Sequence, residues 1–342
     1  MKTILQILCV FAVFGIIVGF YCLGGQQEEE LGATDFDAYH QKGVTTEPVN
    51  FDNIWLDNAK AQNLVGYNKY RYQYTYTMKV KGKVDKATLK LPIPNNTENS
   101  QYISNLKINP KPYKIFETNG NSIAEYKLTD LKEGQYRFTI EGTAALKKYD
   151  IDKAKSEGKN TNPERDIRRY LIGEKGIETN HQYIKELASK ISGSTQEEVV
   201  ANIFRFVKDK IEYTLGSKNP SALNGLKSGR GQCGELAAAM VALCRAKGIP
   251  ARIVSGNIAR EFDTPHTWVE VYYPQLGWVL YDPTVVDSRM TASGQRTIAN
   301  NNLDYISSLR NEFTPWYVTY SNTNTGYTGD IAIKETIKIT RQ

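Results

Sequence analysis

The chain has 342 residues, 40% of them hydrophobic and 23% charged, a balance that excludes a disordered protein and leaves room for two modest domains with real cores. Its net charge of +6 is carried by lysines and acids that are interspersed along the sequence, so no nucleic-acid footprint stands out and no nucleic-acid partner is expected.

Residues 4–23 form a nearly unbroken apolar run, preceded by Lys2 and followed by Glu28-Glu29-Glu30. About 20 apolar residues suffice for a signal peptide or for a membrane span, and residues 1–25 are read as one or the other. The lysine before the run and the acids after it orient the body outside the cytoplasm. Small residues of a cleavage site are missing near the end of the run, so an uncleaved anchor is expected ahead of cleavage. Lipid attachment at Cys22 comes third, because Gly19-Phe20-Tyr21 matches a lipobox poorly. Cys9 and Cys22 lie in this segment, and the exported body keeps only Cys233 and Cys244. On one helix those two are separated by roughly 16 Å at about 1.5 Å per residue. A disulfide needs Cα atoms within about 7 Å, so neither thiol serves as a staple.

Residues 26–50 are polar and aperiodic and read as a linker. The run from Tyr70 to Val80 alternates strictly, with Tyr70, Tyr72, Tyr74, Tyr76, Met78 and Val80 on one side, which marks a half-buried strand. Further strands are expected at 87–91, 122–128 and 136–142, making residues 51–146 an antiparallel β-sandwich. Its tyrosines are expected to cover one face of a sheet rather than to bind sugars or bases. Residues 147–166 form a charged connector around Gly158-Lys159-Asn160-Thr161-Asn162-Pro163.

Residues 167–342 are read as a second, α+β domain with a C-terminal extension. Ser194-Thr195-Gln196-Glu197 has the pattern of a capping box, with Val199, Val200, Ile203, Phe204 and Val207 at helical spacing behind it. A second helix is predicted from Cys233 to Ala246, stopped by Gly248 and Pro250. Strands follow at 252–256, 267–273 and 278–282. Helices packed on an antiparallel sheet give the fold class.

Three residues in this domain have the types needed for nucleophilic catalysis. Cys233, in Gly231-Gln232-Cys233-Gly234-Glu235, opens a helix whose free N–H groups and partial positive charge favour a thiolate. The flanking glycines are expected to let a substrate backbone approach the sulfur, and the Cys233 N–H is a candidate oxyanion donor. His266 begins the strand-like run His266-Thr267-Trp268-Val269-Glu270-Val271, while His40 and His181 lie in polar stretches. Asp282 ends Gly277-Trp278-Val279-Leu280-Tyr281-Asp282, with Asp287 as a reserve carboxylate. A five-residue connection from Tyr273 to Gly277 puts Tyr272 opposite Trp278. His266 and Asp282 then share a face about 7–8 Å apart between backbones, a gap an imidazole spans. A four-residue loop would put them on opposite faces. Metal ligands at zinc-type spacing and glycine-rich phosphate loops are both missing, so neither a metal nor another cofactor is expected.

These motifs, in order, resemble the transglutaminase-like superfamily. The matching stretch runs through Ile203-Phe204-Arg205-Phe206-Val207, Ile211-Glu212-Tyr213, the Cys233 segment, Leu243-Cys244-Arg245-Ala246-Lys247-Gly248-Ile249-Pro250-Ala251-Arg252, the His266 segment and Trp278 to Thr284. It covers roughly residues 165–290. The resemblance implies a papain-like triad of Cys233, His266 and Asp282 acting on a protein or peptide at the cell surface. Gln232 and Tyr213 are both candidates for the second oxyanion donor. Hydrolysis of a peptide or amide is the expected reaction. Glutamine-directed crosslinking and a non-catalytic surface module are the alternatives. The chain lacks the two C-terminal barrels of animal transglutaminases and shows no recognisable calcium site, which weighs against calcium-activated crosslinking.

Overall fold

The computed structural model describes residues 67–97, 101–146, 167–214, 220–259, 264–284, 305–310, 317–323 and 326–342. The apolar run at 4–23, the linker, the connector and Asp287 lie outside these residues. Among the described residues no helix is long and apolar enough to cross a membrane.

The alternating pattern at Tyr70–Val80 produces β1 (Asn68–Lys81), and its tyrosines are buried together with Met78 and Val80. It is followed by β2 (Val84–Ile93), β3 (Gln101–Asn109), β4 (Lys114–Thr118), β5 (Asn121–Leu131) and β6 (Gly134–Leu146). The two sheets they build enclose one core, in which Tyr72, Tyr74 and Tyr76 meet Leu89, Tyr126 and Phe138. The tyrosines are therefore packing residues, as large rings with a polar tip can be.

The second unit begins with a short 3-10 turn, Ile167–Leu171, and then α1 (Gln182–Ser189) and α2 (Gln196–Lys210). The cap of α2 lies one residue later than the pattern suggested. Thr195 is the N-cap, accepting from the Glu198 N–H at 3.2 Å, while the Ser194 N–H donates to the Glu198 carboxylate at 2.7 Å. Next come β7 (Glu212–Tyr213), α3 (Ala222–Ser228), β8 (Arg230–Gly231) and α4 (Cys233–Ala246). The chain then forms β9 (Ala251–Ile258), β10 (Thr264–Tyr273), β11 (Gly277–Tyr281) and β12 (Tyr305–Arg310), a sheet in the order β11-β10-β9-β12. Helix α4 is buried along nearly its whole length, surrounded by α1, α2, α3 and the β9–β10 face of the sheet.

Two arginines of the sequence pattern hold this unit together. The Arg245 guanidinium, fully buried on α4, meets Glu174 Oε1 at 2.6 Å and donates to the carbonyls of Ile172 and Ala251. Arg252 meets Glu270 Oε2 at 2.8 Å across β9 and β10, and its guanidinium lies 3.9 Å from the centre of the Trp278 ring. A buried cation needs this degree of pairing.

The C-terminal residues correct the expected domain division. Strands β13 (Tyr317–Ser321) and β14 (Asp330–Arg341) do not extend the 167–342 unit; they complete the sandwich, whose sheets are β14-β1-β6-β3 and β13-β2-β5-β4. The reason is periodicity. Ile331, Ile333, Ile337 and Ile339 occupy alternate positions of β14 and pack on the sandwich core, while β14 covers what would be an open edge of β1. The sandwich is thus assembled from both ends of the chain around the α+β unit.

Candidate active site

Cys233 is the first residue of α4, with Gln232 as the N-cap, and it is half-buried. The Gln232 N–H donates to Glu235 Oε2 at 3.0 Å, so the turn before the cysteine is fixed by a buried carboxylate. This bears on the flanking glycines. A Cβ on Gly231 would lie 2.5 Å from Glu235 Cβ, and one on Gly225 2.9 Å from the same atom. Gly231 thus makes room for Glu235, a packing requirement for glycine at this position. Gly234 is buried in the first turn of α4.

Strands β7 and β8 run parallel and pair Tyr213 with Gly231, reinforced by the Thr214 N–H donating to the Gly231 carbonyl at 2.7 Å. The pairing sets Tyr213 beside the loop that carries Cys233. Its phenol is held well above its usual pKa, first by burial and then by the negative charges of Cys233, Asp282 and Glu235. Tyr213 is therefore a neutral hydroxyl in the right neighbourhood. The backbone N–H of Gln232 is already engaged by Glu235.

The β10–β11 register is the one that the five-residue connection requires: Tyr272 faces Trp278 and Tyr273 faces Gly277. The ladder ends at Val269 opposite Tyr281, leaving His266 and Asp282 just beyond it. His266 Nε2 lies 2.7 Å from Asp282 Oδ2. Both are buried, the aspartate to 1% exposure, and the Trp268 ring stacks beside the imidazole. With Nε2 on the carboxylate, Nδ1 is the nitrogen left for the Cys233 sulfur.

The charges on this cluster follow from the contacts. Burial pushes the Cys233 thiol up, but the hydrogen bond and charge of His266 and a hydrogen bond from the Thr267 backbone outweigh it, and the thiol ends below its ordinary value. Burial likewise opposes the imidazolium. The charge and hydrogen bond of Asp282, followed by those of Cys233, overcome it and push His266 up to about 10. Both shifts favour a thiolate–imidazolium pair over the neutral one. Cys244 is the contrast: burial pushes its thiol up to about 12, as for an inert core cysteine.

Thr284 escaped the sequence reading as a site residue. Its N–H donates to Asp282 Oδ1 at 2.9 Å and its hydroxyl to the same oxygen at 2.6 Å, while Oδ2 serves His266. The signal was present as Asp-Pro-Thr, a turn in which an Asx side chain bonds the backbone two residues on. His181 does not join the cluster; its Nδ1 caps α1 by accepting from the Tyr183 N–H. Among the described residues no group of three or more His, Cys, Asp or Glu side chains is arranged to hold a metal ion.

Residues 185–283 match the family model of the transglutaminase-like superfamily. The chain carries a transglutaminase-like core. The match contains Cys233, His266 and Asp282 and stops one residue short of Thr284. Among curated relatives, an uncharacterised protein of Bacillus subtilis, YebA, is 39% identical over 69 residues, covering 16% of this chain and 9% of its own length. A protein-glutamine gamma-glutamyltransferase of Pseudomonas aeruginosa is 31% identical over 142 residues, covering 34% of this chain and 21% of its own. The chain thus spans about a fifth of the length of one of these relatives and less than a tenth of the other. Among solved structures, a candidate cysteine protease from Cytophaga hutchinsonii superposes with a TM-score of 0.58 at 18% identity, over 81% of this chain and 91% of that one. That coverage extends far beyond residues 185–283, so the transglutaminase-like core and the sandwich recur together as a fold.

Proposed function

We propose that this protein catalyses thiol-dependent acyl transfer at amide bonds, with Cys233 as nucleophile, His266 as acid and base, and Asp282 as the group that orients the imidazole. The observation that carries the reading is His266 itself, bonded to Asp282 at 2.7 Å on one side and to the Cys233 sulfur on the other. The Cys233 thiolate attacks the carbonyl carbon of a carboxamide or peptide. The oxyanion that forms is met by the Cys233 N–H, free at the helix start, and by the Tyr213 phenol. The His266 imidazolium gives its proton to the departing amine as the C–N bond breaks, leaving a thioester. Water then attacks the thioester, His266 takes the proton, and the carboxylic acid leaves with the thiolate restored. Asp282 keeps its charge throughout and stabilises the imidazolium.

Hydrolysis is the favoured outcome because nothing at the site is assigned to exclude water in favour of an amine. Resolution of the thioester by an acceptor amine is the second reading, supported by similarity to the Pseudomonas gamma-glutamyltransferase. The apolar run at 4–23 supports an extracytoplasmic location, either anchored in the cytoplasmic membrane or secreted after cleavage, with cell-surface proteins or peptides as substrates. The deciding experiment incubates the protein with glutamine-containing peptides and a primary amine. Peptide cleavage supports proteolysis, ammonia release alone deamidation, and ammonia release with amine incorporation crosslinking. Iodoacetamide alkylation of Cys233 at equal rates in the wild type and in His266→Ala would overturn all three and leave a non-catalytic binding module.

A further inference from the structure

The outer face of the sheet β14-β1-β6-β3 has no part in the chemistry above, and its composition is unusual. The odd-numbered residues of β1 point outward, and the register sets their neighbours. Lys334, Thr77 and Arg137 form one row; Thr336, Thr75 and Thr139 the next; then Lys338, Gln73, Glu141 and Lys107; then Thr340, Arg71 and Thr143. Lys79 lies beyond the first row, opposite Ala332 and Gln135. Glu141 is the acid within these rows, and it is already engaged by Lys107 at 3.6 Å and Gln73 at 3.2 Å. Asp330, at the margin, binds the Tyr320 hydroxyl. Among the described residues none of Arg71, Lys79, Arg137, Lys334 and Lys338 has an ion-pair partner, and all five are exposed.

We infer that this face rests on an anionic lipid bilayer. The cations are spread in two dimensions: about 27 Å along β1 from Lys79 to Arg71, and about 14 Å across from Lys338 to Lys107, by strand rise and spacing. A linear polyanion calls for a row or a groove of positive charge. A plane of cations separated by threonine hydroxyls and a glutamine amide instead offers hydrogen-bond donors to an array of phosphates. No large apolar side chain projects from the outer face of β14, β1 or β6, so contact stays at headgroup depth and depends on charge. The apolar run at 4–23 has the length to span a bilayer, and it precedes in sequence β1, a strand of this same sheet.

The test uses the full chain bound to phosphatidylcholine vesicles with or without phosphatidylglycerol, so that any insertion of the apolar run is common to both. Amine-reactive labelling of Lys79, Lys334 and Lys338 is followed by mass spectrometry, with exposed Lys185 of α1 and Lys190, its C-cap, as references. The expected result is labelling slowed several-fold at the three face lysines on anionic vesicles only, and restored by high salt. In Arg137→Glu/Lys334→Glu/Lys338→Glu the protection at Lys79 is lost while Cys233 alkylation and the melting temperature stay unchanged. The salt reversal in the wild type tests the inference without relying on that variant. Equal labelling on the two vesicle types overturns it. Equal protection by soluble polyphosphate on neutral vesicles overturns the bilayer in favour of a soluble polyanion.

Discussion

At Cys233 burial and the neighbouring groups act in opposite directions, and the neighbours decide the outcome. Burial alone would keep the thiol protonated; a buried imidazolium hydrogen-bonded to Asp282 reverses that. The sign of the pH dependence follows. The thiolate, with its lowered pKa, is present above that value and lost as pH falls through it. The imidazolium, raised to about 10, is present below that pH and lost above it. Amide turnover is therefore expected to follow a bell with an alkaline limb near pH 10, measurable as kcat/KM across pH. Asp282→Asn should bring that alkaline limb down by removing the charge that raises the imidazole. Thr284 acts one step further out. Thr284→Val keeps the backbone N–H to Asp282 but removes the hydroxyl bond at 2.6 Å. A charge-assisted hydrogen bond contributes about 1.5–3 kcal/mol, so Cys233 alkylation at neutral pH should fall by roughly tenfold or more. Thr284→Ser should restore the rate, which a purely packing role for the threonine would not predict.

Among the elements, the helices and strands that carry the site were legible from local pattern, and the reasons are specific. Helix α4 lies where Cys233 to Ala246 predicted it, because Gly248, at φ +75°, ends the helix, and Pro250 follows two residues later. The β10–β11 register followed from a loop length, because strand parity leaves only two choices. Glu235 was illegible. A carboxylate in the first turn reads as an exposed cap, yet this one is 2% exposed and lodged against Gly225 and Gly231, because the chain folds back between α3 and α4 and closes over it. The arrangement predicts a specific cost. Gly231→Ala pushes a methyl into Glu235 Cβ at 2.5 Å, and overpacking of this kind costs about 1–3 kcal/mol. Combined with Glu235→Gly, which removes that Cβ, the double variant should unfold at a denaturant concentration higher than the sum of the two single effects allows. Simple additivity would show that the glutamate and the glycine are not coupled.

On the scale of the whole molecule, the sandwich and the transglutaminase-like core meet at β12, which lies against β2, β5 and β6, and at β9, the strand next to the one that carries His266. Tyr74, from the row of tyrosines in the sandwich core, donates its hydroxyl to Asn257 Oδ1 at 2.7 Å, and both residues are buried. Asn257 stands opposite Pro265, the residue before His266, and Ala259, just past the end of β9, packs in the sandwich core. The tyrosine pattern of β1 predicted packing but could not show that one ring crosses to a strand 183 residues away. Tyr74→Phe removes only the hydroxyl and leaves Asn257 Oδ1 buried without that donor, a loss of about 1–3 kcal/mol. If the bond holds the two units in register, the cost should appear in both. Hydrogen exchange should speed up at the β9 and β10 amides as well as in β1, and Cys233 alkylation should slow although Tyr74 belongs to the sandwich. If the bond serves only the sandwich core, exchange should change in β1 and its neighbours alone, with the alkylation rate untouched. The two outcomes separate a scaffold that merely accompanies the core from one that sets the position of the strand bearing its histidine.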